Sequence, residues 1–286
     1  MGARRVGHGN YFPRSPPCYT APMPETTDIA PTDAIAPSAG FNPSRLADAV
    51  AFARGHEIGW SRDIDQQLAS GEFEPPPWNE VLGPTTPRGG PAGIIMRHGQ
   101  VAATWGDPGR ADMTFSVAKS YLAVLTGIAV GDGLIGDVDE LVARTATDDQ
   151  FTSPRNRDIT WRHLLQQTSE WEGSLWGKPD LIDRHRQLGR GADNSRKGQH
   201  RELGPPGSYW EYNDVRVNRL SLSLLQLFRR PLPEVLAARI MEPLGASDGW
   251  SWHAYRNAIV TLDGVAMPSV PGGSHWGGGL WIGARD

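Results

Sequence analysis

The stretch Met113-Thr114-Phe115-Ser116-Val117-Ala118-Lys119-Ser120-Tyr121 decides how the chain is organised, because it places a hydroxyl and an amine three residues apart at the start of an apolar run. From Ser116 to Ile135 the apolar residues fall on almost every side of a helix, which is the pattern of a helix buried in a protein core. The spacing i, i+3 puts Ser116 and Lys119 on one helical face, so the amine can reach the serine oxygen. The stretch therefore predicts a core helix that carries a nucleophile and its base.

Burial disfavours the charged form of a lysine, so we expect the pKa of Lys119 to be lowered toward neutrality. Unpaired N–H groups at the start of the helix should also favour an alkoxide on Ser116. A plainer interpretation is that the Ser-x-x-Lys spacing arises by chance and that Ser116 is an ordinary N-cap. Catalysis is favoured, because Lys119 opens a run too apolar to be a solvated face and a tyrosine motif follows downstream.

The composition is that of a globular protein with enough material for a buried core. The 286 residues carry a net charge of −4, which gives no electrostatic footprint for nucleic acid. The most basic window, residues 184–201, contains Gly and Asn and is interpreted as solvated surface. Cys18 is the only cysteine, which excludes an internal disulfide and a cysteine-based metal site.

No targeting or membrane-spanning segment is apparent in the sequence. Prolines follow Arg4-Arg5 where an apolar signal region should be. The longest apolar run, between Lys119 and Asp132, is shorter than the ~20 residues that a helix needs to cross a bilayer. We therefore predict a cytoplasmic protein with no membrane or nucleic-acid partner.

The chain divides into a tail and one domain. Residues 1–40 carry seven prolines and no periodic apolar pattern, so they are predicted to be a disordered arm, and Met23 is an alternative start. Residues 41–286 are the predicted folded domain, which begins with a helix opened by Asn42-Pro43-Ser44.

Within the predicted domain, elements follow in a clear order. Residues 71–90 are rich in Pro and Gly and should form a loop, and residues 93–97 and 101–105 should form a hairpin. Residues 138–240 are expected to be mainly helical. Residues 271–282 are a Gly-rich turn that leads into a short strand.

Two apparent motifs are rejected. Gly131–Gly136 matches G-x-G-x-x-G, but it closes a helix instead of opening one, so a dinucleotide site is not predicted. His56-Glu57 begins like H-E-x-x-H, but Trp60 stands where the second histidine belongs. His163 has no second ligand at a suitable spacing. Neither a metal nor a cofactor is predicted.

Five stretches together resemble the serine β-lactamase and penicillin-recognising superfamily, and above all its class C β-lactamase-related esterases and amidases. They are Ser116–Lys119, Ile159–Ser169, Tyr212-Asn213-Asp214, Pro243-Leu244-Gly245 and Gly278–Asp286. The resemblance covers residues 91–286. It implies an α/β (α+β) fold in which an antiparallel sheet is flanked by helices, with a helical subdomain.

The resemblance also implies roles for individual residues. Ser116 would be the acylated nucleophile, Lys119 its general base, and Tyr212 the group that shares the proton and delivers it to the leaving group. The oxyanion would be held by the backbone N–H of Ser116 and a second N–H from a sheet strand. The substrate would be a small ester or amide.

The chain departs from the family pattern at two places. Asp214 stands where the family has asparagine, so an acceptor-only charged group replaces an amide. This puts β-lactam recognition in doubt, and Asp214 is interpreted either as a substrate-binding residue or as a cap of the helix that begins near Val215.

The second departure concerns the family's third motif, Lys or His followed by Thr/Ser-Gly. His275 and Trp276 imitate this motif and are candidate substrate-binding residues, but their position directly before Gly278 assigns them to an earlier segment. The third motif would follow Asp286. We therefore expect an incomplete domain whose C-terminal strands are missing.

The interpretation favoured by these observations is a serine hydrolase that acts through an acyl-enzyme. The alternative is a non-catalytic binding module or relic of the same fold. A cell-wall peptidase is disfavoured, because no export signal is present. The sequence leaves open the acyl group, the leaving group and the oligomeric state.

Overall fold

The computed structural model describes residues 34–35, 40–189 and 191–286. The predicted arm, with Cys18 and Met23, lies outside the described residues except for Ala34–Ile35 and Gly40. The helices are Pro43–Gly55 (α1), Ile64–Ala69 (α2), Ala118–Gly131 (α3), Trp161–Leu165 (α4), Asp214–Phe228 (α5), Leu232–Leu236 (α6) and Glu242–Leu244 (α7). The strands are Ala34–Ile35 (β1), Gly93–Arg97 (β2), Gln100–Trp105 (β3), Asp112–Met113 (β4), Ser174–Leu175 (β5), Lys178–Pro179 (β6), Ser251–His253 (β7), Ile259–Leu262 (β8), Val265–Pro268 (β9) and Gly279–Ile282 (β10).

The predicted hairpin is confirmed as strands β2 and β3, which pair antiparallel. Its turn uses His98 (φ 51°) and Gly99 (φ 76°), and two successive positive φ values match the right-handed twist of the strands. Strand β1 pairs with the other edge of β3, so the sheet order is β1-β3-β2.

Helix α1 covers this sheet. The predicted cap is confirmed, because the Asn42 side chain accepts a hydrogen bond from the N–H of Arg45 (3.1 Å) and Pro43 occupies the first turn. Leu46 and Val50 of α1 form a small buried cluster with alanines of β3. The apolar spacing i, i+4 on α1 therefore fixes which face meets the sheet.

A second antiparallel sheet has the order β4-β10-β7 and lies beside the predicted nucleophile. Trp281 of β10 pairs with Met113 of β4. Directly after β4, the N–H and Oγ1 of Thr114 both donate to the carbonyl of Leu280 (2.9 and 2.8 Å). The strand predicted for residues 278–282 thus anchors the turn that carries Ser116.

Helix α3 is shorter and less buried than the sequence predicts. A 3₁₀ turn spans Phe115–Val117, and α3 then continues to Gly131, where Gly133 (φ 71°) helps to end it. Leu122 and Leu125 are fully buried, but Val117 is 54% exposed and Val124 is 46% exposed. The expectation of burial on almost every side is wrong, because these valines, seven residues apart, lie on a face that is exposed to solvent.

The expectation that residues 138–240 are mainly helical is also wrong. Only α4, α5, α6 and short helical turns form, and residues 145–160 and 184–213 are largely irregular. Hydrogen bonds from side chains hold these segments instead; for example, the Asn156 amide donates to the carbonyls of Gln150 and Glu172 (both 2.9 Å). Apolar periodicity could not reveal this, because the stabilising groups are polar.

The main core lies between α3 and α5. Helix α5 is buried along most of its length and includes two buried arginines, Arg216 and Arg219. Residues 71–90 form the predicted loop, which passes close to this core. Across residues 40–189 and 191–286, no helix has the length and apolar character needed to cross a membrane.

Candidate active site

Ser116, Lys119 and Tyr212 meet at one point. Ser116 Oγ lies 2.9 Å from Lys119 Nζ and 2.5 Å from Tyr212 Oη. Lys119 Nζ also lies 4.8 Å from the centroid of the Tyr212 ring. The structure therefore brings together the three residues that the sequence named as catalytic candidates, although Tyr212 is far from the others along the chain.

The backbone around Ser116 is held in an uncommon conformation. Phe115 has φ 49°, in the left-handed region that a bulky residue rarely adopts. The bonds from Thr114 to strand β10 fix the preceding residue. Ser116 thus sits on a constrained turn at the head of α3, half-buried, with Lys119 one turn further along the helix.

Tyr212 is positioned by the start of α5. Asn213 is the N-cap, and its Oδ1 accepts from the N–H of Arg216 (3.1 Å) while its amide donates to the carbonyl of Asp180 (2.8 Å). The N–H of Asn213 donates to Gln167 Oε1 (3.0 Å). The alternative that Asp214 caps this helix is therefore wrong, because Asn213 already does so.

Lys119 makes three contacts that suit an ammonium group. Its Nζ lies 2.6 Å from Asp214 Oδ1, 2.9 Å from Ser116 Oγ and 3.1 Å from the carbonyl of Gly272. Three acceptors match the three N–H donors of a charged lysine. Burial opposes this charge, but the adjacent Asp214 carboxylate raises the pKa of Lys119 above its usual value. The expected lowering is wrong, because burial was considered without the carboxylate that accompanies it.

Asp214 is the centre of a buried group of charges. Its Oδ1 accepts from Lys119, while its Oδ2 lies 2.6 Å from Arg186 Nη1 and 3.0 Å from His275 Nδ1. Burial opposes ionisation, but Lys119, His275 and Arg186 hold the pKa of Asp214 well below its usual range. Because Asp214 is only 3% exposed, water screens its charge little and the carboxylate interacts mainly with these three neighbours.

The segment interpreted as solvated surface supplies buried cations instead. Arg186 bonds Asp183 (3.1 Å) as well as Asp214, and Lys197 pairs with Glu74 and with Asp183. The expectation fails for Arg186 and Lys197, which find Asp214 and Glu74 in other parts of the chain, whereas residues 187–189 and 193–196 are exposed. A charge-rich window is solvated only if the fold offers it no partners.

A second buried group of charges supports the loop before Tyr212. Arg201 bonds Glu170 and Glu211 with both ends of its guanidinium group, at 2.5 to 2.9 Å. Arg216 of α5 reaches Glu170 (3.2 Å) and Asp180 (3.2 Å). Since Glu211 directly precedes Tyr212, these bidentate contacts fix the direction from which the tyrosine enters the site.

His275 and Trp276, the two predicted substrate-binding residues in the Gly-rich segment, lie in different surroundings. Trp276 is 1% exposed, and its Nε1 donates to the carbonyl of Trp78 (2.7 Å). The structure does not support a substrate-binding role for Trp276, because a core side chain with its N–H satisfied cannot touch a substrate. His275 is placed beside Asp214 and Glu74, inside the charge group.

Gly272 and Gly273 are site residues that the sequence reasoning missed. The carbonyl of Gly272 accepts from Lys119, and its N–H donates to Asn218 Oδ1 (3.0 Å). A Cβ on Gly273 would lie 3.4 Å from both Lys119 Nζ and Asp214 Oδ1. The adjacent glycines were the available signal, since paired glycines often mark a close backbone approach.

A cleft of about 720 Å³ lies next to the site and does not include Ser116. Trp60, Phe73, Trp78 and Leu188 are among its apolar walls, and Arg186 lies at its polar side. The Trp60 ring also contacts Phe115, with centroids 5.3 Å apart. The cleft therefore adjoins Ser116 through Phe115, the residue that precedes it. Within the described residues, no group of three His, Cys, Asp or Glu side chains is arranged to hold a metal ion.

A sequence profile of the β-lactamase family matches residues 87–282, which is more than half of the chain. The chain belongs to the β-lactamase family. The matched region contains Ser116, Lys119 and Tyr212 together with both charge groups, apart from Glu74. The predicted fold class, β-lactamase/transpeptidase-like with antiparallel sheets and helices, is confirmed. Members of this family are serine hydrolases.

Solved structures also match the chain. A putative 6-aminohexanoate-dimer hydrolase from Bacillus anthracis is 16% identical, with 68% of this chain and 51% of that chain covered and a TM-score of 0.42. A β-lactamase/D-alanine carboxypeptidase from Yersinia pestis is 15% identical (68% and 58% covered, TM-score 0.41). EstCE1, a hydrolase with promiscuous acyltransferase activity, is 18% identical (84% and 71% covered, TM-score 0.43).

The chain spans about half of the length of the first of these structures. No curated protein matches the sequence.

Proposed function

We propose that the chain is a serine hydrolase that acts on a small ester or amide through an acyl-enzyme, with Ser116 as the nucleophile. The observation that carries the proposal is the contact of Ser116 Oγ with both Lys119 Nζ (2.9 Å) and Tyr212 Oη (2.5 Å). A hydroxyl within hydrogen-bond reach of two proton-transfer groups is the arrangement that nucleophilic catalysis requires.

The raised pKa of Lys119 changes the role assigned to it. As an ammonium, Lys119 donates to Ser116 Oγ, so the hydroxyl proton of Ser116 is free to point to Tyr212 Oη. Two cations, Lys119 and Arg186, lie within 5 Å of the Tyr212 ring and attract negative charge on its oxygen. Tyr212 is therefore the proposed proton acceptor, and Lys119 is the cation that supports it.

The proposed reaction starts after the Ser116–Lys119–Tyr212 set has lost one proton. The hydroxyl proton of Ser116 moves to Tyr212 Oη as Oγ bonds to the acyl carbon, and the backbone N–H of Ser116 contributes to holding the oxyanion. Tyr212 then protonates the oxygen or nitrogen of the leaving group, and the bond between that atom and the acyl carbon breaks. Water then attacks the acyl carbon and gives a proton to Tyr212, the bond from Ser116 Oγ to that carbon breaks, and Oγ takes the proton from Tyr212 as the acid is released. The pKa that governs the first step belongs to the set and not to one residue.

The proposed subtype is the class C-related esterases and amidases, because the hydroxyl of a tyrosine, Tyr212, contacts the proposed nucleophile Ser116. Asp214 favours an ester or amide over a β-lactam, since its side chain has no amide donor and is occupied by three cations. Glycine at 273 leaves room beside Ser116 Oγ, since a Cβ there would lie 3.9 Å from that oxygen.

The test is covalent labelling by a fluorophosphonate, measured as intact mass. The wild-type chain should gain one adduct, Ser116→Ala should gain none, and Ser120→Ala should react like the wild type, since Ser120 is exposed one residue beyond Lys119. Hydrolysis of a p-nitrophenyl ester should follow the same pattern. Absence of labelling from the wild type would instead support a non-catalytic binding module, and labelling that survives in Ser116→Ala would show that Ser116 is not the nucleophile.

A further inference from the structure

His275 occupies a buried position between two carboxylates. Its Nδ1 lies 3.0 Å from Asp214 Oδ2 and 3.7 Å from Glu74 Oε1. Glu74 is 1% exposed, and its Oε1 has no hydrogen-bond partner anywhere in the described chain. A buried carboxylate oxygen without a donor is costly unless a positive charge lies close to it. Lys197 pairs with Oε2 of the same carboxylate, and His275 is placed to supply positive charge on the side of Oε1.

The ring of His275 is fixed by its other neighbours. Phe73 stacks nearly parallel to it, with centroids 5.4 Å apart and an angle of 4°. Arg186 Nη2 lies 3.1 Å from Nε2 and 3.4 Å from Nδ1. Such similar distances to both nitrogens place Nη2 above the ring, because in the ring plane it would overlap the ring carbons. Arg186 therefore leaves room for a proton in the ring plane on either nitrogen of His275.

The charged groups that face His275 come from three segments. Glu74 belongs to the loop before β2, Asp214 to the start of α5, and Arg186 to the irregular segment before α5. Burial opposes a charge on His275, and so does Arg186, but the carboxylates of Asp214 and Glu74 raise the pKa of His275 above its usual value. The two carboxylates therefore favour a proton on the His275 ring.

A continuous line of contacts joins this ring to the reactive serine. It runs from Ser116 Oγ to Lys119 Nζ (2.9 Å), from Nζ to Asp214 Oδ1 (2.6 Å), and from Asp214 Oδ2 to His275 Nδ1 (3.0 Å). His275 touches neither Ser116 nor the place where a substrate would react. Any influence on the chemistry must pass through Asp214.

We propose that His275 is a positioning residue that holds Asp214 and, through its own charge, controls how readily the Ser116–Lys119–Tyr212 set releases a proton. The inference rests on the proposed function and adds a residue to it. When His275 is protonated, it shares the charge of Asp214, which then holds the Lys119 proton less strongly. When His275 is neutral, only Lys119 and Arg186 face the charge of Asp214, and the proton on Lys119 is retained to higher pH.

The test uses the rate of fluorophosphonate labelling of Ser116 as a function of pH. In His275→Asn, the amide nitrogen replaces Nδ1 and can still donate to Asp214, but it never carries a charge. The pH at which labelling rises should therefore move upward by on the order of one pH unit, the effect of one charge two contacts away.

The matched control is His253→Asn. His253 lies on β7, where its Nε2 contacts the hydroxyl of Ser251 (2.8 Å). It makes none of the contacts that join Ser116 to Asp214, so its replacement should leave the profile where it is. Asp214→Asn should move the profile in the opposite direction, to lower pH, since it removes the charge that retains the Lys119 proton.

The possible results separate the two proposals. A wild-type chain that is not labelled overturns the proposed function, and the role of His275 with it. A wild-type chain labelled at Ser116 whose profile is unmoved in His275→Asn overturns the role of His275 alone. So does a slower rate at every pH without a shift, because that indicates only disturbed packing. If His275→Asn fails to fold, His275→Gln is a second neutral variant with the same expected shift.

Discussion

Replacing Asp214 by asparagine should make Ser116 react at lower pH and at the same time weaken the fold. Asn keeps the size of the side chain and one acceptor oxygen, but it removes the negative charge that faces Lys119, Arg186 and His275. The pKa of Lys119 is raised chiefly by that carboxylate against the effect of burial. Without it, burial lowers the pKa of the amine, and Tyr212 is left as the group that raises it.

The magnitude follows from the contact between Lys119 Nζ and Asp214 Oδ1, at 2.6 Å. Two unit charges about 3 Å apart attract by about 5 kcal/mol at an effective dielectric constant near 20. Arg186 and His275 already share the charge of Asp214, so we assign Lys119 about one third of this energy, or roughly 2 kcal/mol. Since one pH unit corresponds to about 1.4 kcal/mol, the labelling profile should move down by one to two pH units.

The same substitution leaves Arg186 and His275 without their shared carboxylate. Removing one partner of a buried ion pair costs about 3 to 5 kcal/mol, and the retained acceptor of Asn should keep the loss near 3 kcal/mol. For a chain of this size, the melting temperature should fall by about 6 to 12 °C. Asp214→Asn is thus expected to be less stable but more reactive at neutral pH.

The assay combines labelling rates from pH 5 to 10 with thermal unfolding of the same samples. Asp139→Asn is the matched control, because Asp139 pairs with Arg162 at an exposed position and should change neither measurement. A profile that stays in place, or moves to higher pH, while Asp214→Asn remains folded would refute the reasoning. It would mean that the carboxylate of Asp214 does not govern the proton on the Ser116–Lys119–Tyr212 set.

Other substitutions test separate parts of the site. Lys119→Arg should lose fluorophosphonate labelling, since a planar guanidinium cannot make the three Nζ contacts. Gly273→Ala should fold normally but slow labelling, as its methyl group would lie 3.4 Å from Nζ, whereas Gly272→Ala should lower the melting temperature because its methyl group would overlap Val217. Arg216→Ala should reduce the free energy of unfolding in urea by about 3 kcal/mol, because it removes one buried cation from Glu170 and Asp180, which keep Arg201 and Arg184 as their partners.

Local pattern predicted the parts of the fold and site that depend on neighbouring residues. The cap at Asn42, the hairpin of β2 and β3, and the proximity of Ser116 to Lys119 each follow from a few adjacent positions. Tyr212 was different, because no spacing rule joins it to Ser116. Only the family resemblance indicated that the two would meet.

The charges around Asp214 could not be derived in this way. Arg186 and His275 contact the carboxylate of Asp214 from segments that are far apart in the chain. Glu74 approaches His275 from a third segment. Periodicity reports which residues avoid water, but it does not report which buried charges meet. The wrong expectation for the pKa of Lys119 came from this gap, since the sign of the shift depends on Asp214.

The position of this charge group argues for a role beyond stability. Buried ion pairs are weak evidence for stability, because well-packed apolar residues often serve as well or better. Here the pairs are gathered where Asp214, His275 and Arg186 face Lys119 and Tyr212, and the second group fixes Glu211 immediately before Tyr212. If the positions around Asp214 only had to be filled, apolar side chains would serve. Charges that meet beside a serine hydroxyl can instead set the protonation of its partners, so we interpret the whole group as part of the reaction centre.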